Sequence, residues 1–322
     1  MRQRSEFEHE ILMHALRDRA RREHAYSSQS VSPMFPAWTD GLFPDLRATA
    51  CEYVESRQLR LHSHAAAVHS SMAFAFNLFL SFVTAGREAL AGVMHGFLGF
   101  RPLVEAIEFE YVHSTDILGE WAGESRHPNE PCTASDVGII VRDEKDRRGI
   151  VLIEVKLSEP HFSQCNGKVS QANRRRDLCN SAGAFLATPD ACYLSRPLRA
   201  TKHRRYWEIF SREAGSVTAA FPGVATSGEC PFASDNQQPM RNHALALGLV
   251  QAGYFSFSFF GLVHHDANPD ILPLWRSYVE LCRDPERLFS IPATTIVRAG
   301  EVIDDRWAAW GRYMRERYRL PQ

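Results

Sequence analysis

The stretch Gly149–Leu157, Gly-Ile-Val-Leu-Ile-Glu-Val-Lys-Leu, constrains the fold more than any other part of the chain. Side chains alternate between the faces of a strand, so Ile150, Leu152, Glu154 and Lys156 share one face. Ile153, Val155 and Leu157 point the other way. Both faces are apolar except at Glu154 and Lys156, which predicts a central strand covered on both sides. Charges inside such a strand need a reason. A second strand candidate, Asp136–Val141, precedes it, and the connection Arg142–Arg148 holds no apolar residue. A solvent-exposed hairpin turn follows from that pattern.

A turn centred near Asp146 sets Asp136 opposite Lys156 and Gly138 opposite Glu154. Asp136, Glu154 and Lys156 then converge at one end of the hairpin, on one face, and Gly138 leaves room beside the Glu154 carboxylate. A slip of one residue would undo this arrangement. The two carboxylates and the backbone carbonyl of Val155 are hard oxygen donors suited to Mg2+ or Mn2+. Such an ion polarises a phosphate and lowers the pKa of a bound water. A lysine beside it can orient the water or stabilise developing charge. A Glu-X-Lys triplet alone is weak, because an ion-pair network around Lys156 would use the same residues for stability only. The aspartate opening the preceding strand favours a metal-dependent hydrolytic centre, a logic that hydrolases of small phosphoesters share.

Along the rest of the chain, helices are expected over Glu6–His24, over Leu46–Leu61 and from Ser70 onward, with Gly86 and Gly92 marking interruptions. Phe74, Phe76, Phe79 and Phe82 make the third a bulky core helix, and Tyr26–Pro44 reads as an irregular connection. Val104–Val112 alternates like a strand, followed by a polar insertion, Ser114–Pro131. Helices are further expected over Lys168–Asn180, Gln238–Gln251 and Asp304–Tyr318, with a strand over Phe255–His264. Few elements can be placed between Ala184 and Pro239.

Three blocks carry a family resemblance. The first is His69–Phe79, the second runs from Thr133–Gly138 to Glu154–Lys156, and the third is Asn236–Asn242. Together they resemble the PD-(D/E)XK nuclease superfamily and, more narrowly, a group of bacterial restriction endonuclease-like proteins. The resemblance implies an α/β fold with a restriction endonuclease-like core. A mixed central β-sheet is flanked by helices, with additional N- and C-terminal helices. Residues 1–100 would be a helical region packing on a core of residues 101–322, most simply as one continuous domain. The last core strand would lie near Ala191 or at Phe255–Val263. The resemblance makes Asp136 and Glu154 metal ligands and Lys156 the catalytic lysine. It adds Glu110, or less favourably Glu52, as a further ligand and Gln171 as the polar residue on the helix after the Glu-X-Lys strand. Ser135 stands where the superfamily has its nominal, variable proline. The implied activity is Mg2+-dependent hydrolysis of DNA. A homodimer stays open, since duplex DNA presents two strands. The rival is a relative that binds nucleic acid or serves structure without catalysis.

Other residues add lesser signals. Gln238 and Arg241, three apart on one helical face, could contact a nucleic-acid backbone, as could Arg174 and Arg175 in the cluster Arg174–Arg176. A second basic cluster is Lys202–Arg205. Asn77, in an apolar helix, is either hydrogen-bonded in the core or braces the site strands. Asp116, Glu120 and Glu124 are loop acids near the site or solvated ones. His264 and His265 point to opposite faces of a strand, which disfavours a shared metal.

Composition sets outer bounds. At 322 residues, 44% hydrophobic and 23% charged, the chain can bury a substantial core. A formal charge of −1 disfavours a surface that wraps DNA but leaves room for a local basic groove. Seven cysteines without a CxxC pair, and no signal peptide, lead us to expect reduced thiols in a cytoplasmic protein. Cys165, Cys179, Cys192 and Cys230 could act as four ligands only if the fold gathers them, and buried structural thiols are the ordinary expectation. The apolar stretch Ser71–Phe100 carries Asn77, Arg87, Glu88 and His95, so a core helix is expected rather than a membrane span.

Overall fold

A computed structural model describes residues 5–23, 32–121, 123, 126, 132–195 and 203–322. Lys202, Glu124 and parts of the Tyr26–Pro44 and Ser114–Pro131 segments lie outside the described residues. The N-terminal part holds α1 (Glu6–Arg22), α2 (Arg47–Arg57), α3 (Ser71–Thr84) and α4 (Arg87–Leu98). Strands β1 (Leu103–Tyr111), β2 (Ser135–Arg142) and β3 (Arg148–Lys156) follow. Next come α5 (Asn166–Val169), α6 (Arg176–Asn180), α7 (Ala182–Ala187), α8 (Tyr206–Ala214), α9 (Val217–Ala220) and α10 (Gln237–Gln251). The chain closes with β4 (Phe257–His264), α11 (Ile271–Leu281), β5 (Leu288–Pro292), α12 (Ala293–Glu301) and α13 (Asp305–Tyr318).

The five strands form one mixed sheet in the order β1-β2-β3-β4-β5. β1, β2 and β3 run antiparallel as a meander, while β3, β4 and β5 run parallel. β3 is the central strand, as its two apolar faces require. Val151, Ile153 and Val155 enter a core shared with α3, α4, α12 and α13. Ile150 and Leu152 enter a second core on the opposite face, against α8, α10 and α11. This is a mixed α/β architecture with helices on both faces, consistent with a restriction endonuclease-like core.

α3 forms because Ser70 caps it, its hydroxyl accepting from the Ala73 N–H at 3.2 Å, and because every residue from Met72 to Phe82 is buried. Gly86, at φ +77°, opens the way into α4. Gly92, expected to interrupt the helix, sits inside α4 instead. Among the described residues no helix is long and apolar enough to cross a membrane.

The hairpin differs from expectation by two residues of register. Its ladder runs from Val137↔Ile153 to Arg142↔Arg148, so the centre is Lys145 and not Asp146. Asp143 sets this: its Oδ1 accepts from the N–H groups of Lys145 (2.9 Å) and Arg147 (2.8 Å), and Asp146 takes a left-handed φ of +61°. Gly138 therefore faces Leu152, and the Asp136 position falls level with Glu154 rather than Lys156. A two-residue shift preserves the face of every side chain, so the convergence survives the error.

The expected helix over Lys168–Asn180 is only the short α5 and α6, separated by a turn. The returning strand is β4, paired with β3, and not a segment near Ala191. β5, α8, α11 and α12 carried no sequence expectation.

Candidate active site

Asp136, Glu154 and Lys156 project from one face of the β2–β3 end into an open cleft of about 400 Å³. α10 reaches the same place. Glu154 is 1% exposed, and its carboxylate is fully engaged. Oε1 accepts from Gln238 Nε2 at 2.6 Å and pairs with Lys156 Nζ at 2.9 Å, while Oε2 accepts from Asn242 Nδ2 at 2.8 Å. Gln238 and Asn242 stand four apart on α10, so both face β3. Lys156 Nζ also donates to Gln238 Oε1 at 3.3 Å and lies 5.7 Å from the Phe162 ring centroid.

Asp136 Oδ2 accepts from the Val155 N–H at 2.6 Å. This bond locks the start of β2 to the Glu-X-Lys segment. Ser135, standing where the resemblance suggested proline, donates its hydroxyl to the Ile153 carbonyl at 2.9 Å. Both contacts hold the strand ends together where the regular ladder has stopped.

Glu110 arrives by an unusual route. It lies in β1 between the pairs Phe109↔Val137 and Tyr111↔Ser135, which brings it level with Asp136. Its φ is +48°, a left-handed conformation costing roughly 1–2 kcal/mol for a side-chain-bearing residue. The turn of the backbone sends its neighbours to opposite faces. Phe109 stacks on Phe76 of α3 with ring centroids 4.1 Å apart, and Tyr111 joins the core beside α10. Tyr111 then covers Gly138, where a Cβ would sit 2.7 Å from its ring. Gly138 thus makes room for Tyr111, and not for Glu154 as the sequence suggested.

The electrostatics of the cleft are unbalanced. Among the described residues lining it are Glu8, Glu110, Asp136, Glu154 and Glu159, against one ammonium, Lys156. Burial first, then the charge of Glu154, pushes the Glu110 carboxyl up to about 7. Burial, Glu154 and Glu110 likewise hold Asp136 well above the usual carboxylate range, against the opposing pull of Lys156 and the Val155 N–H. Burial alone would lower Lys156, but Glu154, Glu159 and Asp136 outweigh it and keep the ammonium charged above its ordinary range. His62, His64 and His69 also line the cleft.

The donor set suits a hard divalent cation: clustered carboxyl oxygens in a water-accessible cleft. Among the described residues no group of three or more His, Cys, Asp or Glu side chains is already arranged to hold a metal ion. Asp136, Glu154 and Glu110 are accordingly candidates that would need water or backbone oxygen beside them.

Other expected site residues lie elsewhere. Gln171 is exposed in the turn between α5 and α6, and the polar contact to the Glu-X-Lys strand comes from Gln238 and Asn242 instead. Asn242 was missed, although it closes the Asn236–Asn242 block and stands one helical turn from Gln238. Arg241 turns from the cleft: its guanidinium bonds Thr133 Oγ1 at 2.9 Å and Glu120 Oε1 at 3.0 Å. Glu120 also takes the Tyr206 hydroxyl, so this cluster stitches the insertion to α10 and α8. Asp116 accepts from the Glu120 and Trp121 N–H groups within the same loop. Arg174 and Arg175 are exposed, with Arg175 3.5 Å from Asp177. Glu52 is exposed on α2 and does not line the cleft. Asn77 braces other parts: it bonds the Phe43 N–H, the Gly41 carbonyl and the Tyr318 hydroxyl, joining α3 to the preceding loop and to α13. His264 and His265 are buried and bond backbone carbonyls.

No curated protein and no solved structure matches the chain. One family does, described as Restriction Endonuclease associating with ARP, and the match covers residues 6–299. With nearly the whole chain matched, and a mixed sheet and acidic cleft of the kind just described, this protein belongs to that restriction endonuclease-like family.

Proposed function

We propose that the protein hydrolyses phosphodiester bonds of DNA in a reaction requiring Mg2+ or Mn2+, with Asp136, Glu154 and Lys156 at its centre. The reading follows the PD-(D/E)XK nucleases that the sequence resembles. The observation that carries it is the meeting of these three residues in an open cleft whose carboxylates outnumber its ammonium. A phosphate diester is itself anionic, so it enters such a cleft only with cationic help. Asp136 and Glu154 would hold the ion, with Glu110 and the Val155 carbonyl as further oxygen donors. When bound, the metal supplies Lewis-acid polarisation of the phosphate.

The chain's own residues do the rest. The carboxylates around Lys156 favour its ammonium form, which suits it to hold a phosphate oxygen or the attacking water by charge and hydrogen bonding. Gln238 touches both Glu154 and Lys156 and fixes their spacing. Asp136 is held by the Val155 N–H through one oxygen, Oδ2. Arg174 and Arg175 are suited to contact backbone phosphates, which positions a duplex without reading its sequence.

A second reading has one observation in its favour. Both oxygens of Glu154 already have partners, as a purely structural charge network would require. Plasmid cleavage by the purified protein with Mg2+, compared with Lys156→Ala and Asp136→Asn, separates the two. The nuclease reading expects cleavage to fall more than about a hundredfold in both variants. Equal behaviour of all three proteins on several DNA substrates would leave the structural reading standing.

A further inference from the structure

The segment between β3 and α10 holds four of the seven cysteines, and the fold gathers all four. Cys165 precedes α5, Cys179 lies in α6, Cys192 follows the single turn Pro189–Ala191, and Cys230 lies in the turns before α10. Each is buried and each is a free thiol. All four line one small cavity, walled otherwise mainly by apolar side chains such as Phe185, Trp207 and Phe232. Every pair among the four sulfurs is close enough to interact electrostatically. Such convergence from four separate loops and short helices is more than ordinary burial of thiols requires.

Polar donors point at the sulfurs within this apolar wall. The Gly167 N–H donates to Cys165 Sγ at 3.3 Å, and Asn173 Nδ2 lies 3.6 Å from Cys179 Sγ. A neutral thiol is a weak acceptor, whereas a thiolate is a strong one. Donors of this kind are the outer contacts that tune thiolate-held metals. The helices of the surrounding backbone, α5, α6 and α7, are all short.

We propose that Cys165, Cys179, Cys192 and Cys230 form a tetrathiolate site for a soft-metal centre, an iron–sulfur cluster before a lone zinc ion. Four cysteines are the usual ligand set for either. The preference for a cluster comes from spacing. Among the described residues no three such side chains are arranged to hold a single ion, yet four surround one cavity. Burial raises all four thiols, to about 11 for Cys192, so the metal-free cavity keeps them protonated. Each thiol gives its proton to solvent as its sulfur binds metal, and no change in thiol oxidation state is involved. The centre would fasten the β3–α10 segment just ahead of Gln238. The inference stands apart from the nuclease reading, because metal content is measured without catalysis.

The test uses the full chain purified without oxygen, then loaded in separate samples with iron plus sulfide and with zinc. Metal, acid-labile sulfide and the visible spectrum are measured for wild type, Cys192→Ser, Cys230→Ser and the exposed Cys51→Ser. The tetrad predicts one stoichiometric centre per chain, kept in Cys51→Ser. In the other two variants its affinity falls by more than the roughly tenfold cost of an outer-contact change. Visible absorption with iron and sulfide identifies a cluster, and a colourless zinc-loaded chain identifies zinc. The proposal is overturned if wild type takes up neither and all its thiols alkylate on unfolding. It is equally overturned if both inner variants, folded by circular dichroism, retain the metal.

Discussion

At the residue scale, Glu154 is the pivot. It is a buried carboxylate whose two oxygens take three donors: Lys156, Gln238 and Asn242. A buried charge left short of partners is expensive, so its ligands contribute to stability as well as to placement. Asn242→Ala removes the donor to Oε2 and should destabilise the fold by about 1–3 kcal/mol. Urea unfolding checks this, and a variant as stable as wild type would show that water replaces the amide at no cost. Glu154 and Lys156 were legible in the sequence because charges inside a doubly apolar strand stand out. Asn242 was not, because a polar residue on a helix far along the chain has no local mark that says which strand it meets.

At the element scale, the β2–β3 hairpin could be read nearly whole from the sequence. Two apolar runs and a charged connection determine strand, turn and central position. The turn centre could not be read, because it depends on Asp143 capping the loop and on Asp146 accepting a left-handed backbone. The role of Gly138 was misread for a related reason. Regular alternation would send Tyr111 to the α3 face, and only the positive φ of Glu110 brings it over Gly138. Gly138→Ala should therefore destabilise the protein by about 1–3 kcal/mol through overpacking against the ring. Placed in a Tyr111→Ala background, the same change should cost little, because the clashing ring is gone. Equal costs in both backgrounds, measured by chemical unfolding, would contradict this packing. α3, α10 and α13 matched expectation closely, and two of them are capped by side chains, Ser70 on α3 and Asp304 on α13 at the Trp307 N–H. β5 escaped notice because five residues are too few to show a period, whereas α11 and α12 are amphipathic, with Ile271, Trp275 and Tyr278 on one buried face of α11, and could have been read.

At the scale of the whole molecule, the cleft gathers five carboxyl groups of the described residues around one ammonium. Glu110 ordinarily titrates near 4.5 and is held at about 7 in the fold. Its raised value means the folded chain holds a proton that the unfolded chain has released. The associated stability is complete below the ordinary pKa and is lost as pH rises through about 7. Thermal unfolding in chelator should thus weaken between about pH 5 and about pH 8, with Mg2+ restoring stability at the upper end. Glu110→Gln should flatten the chelator profile. A variant whose profile parallels wild type would show that Glu110 does not carry the effect. The sequence displayed the ingredients of this imbalance, but their sum appears only when β1, β2, β3 and the loops around His62 and Glu159 come together.

The central claim is that this cleft holds a divalent metal between the carboxylates of the hairpin. Crystals soaked with Mn2+, measured at the manganese absorption edge, test it most directly. The account predicts an anomalous peak flanked by the Asp136 and Glu154 carboxylates, lost in Asp136→Asn. Well-ordered carboxylates with no peak between them at saturating Mn2+, or a peak that persists in Asp136→Asn, would contradict it.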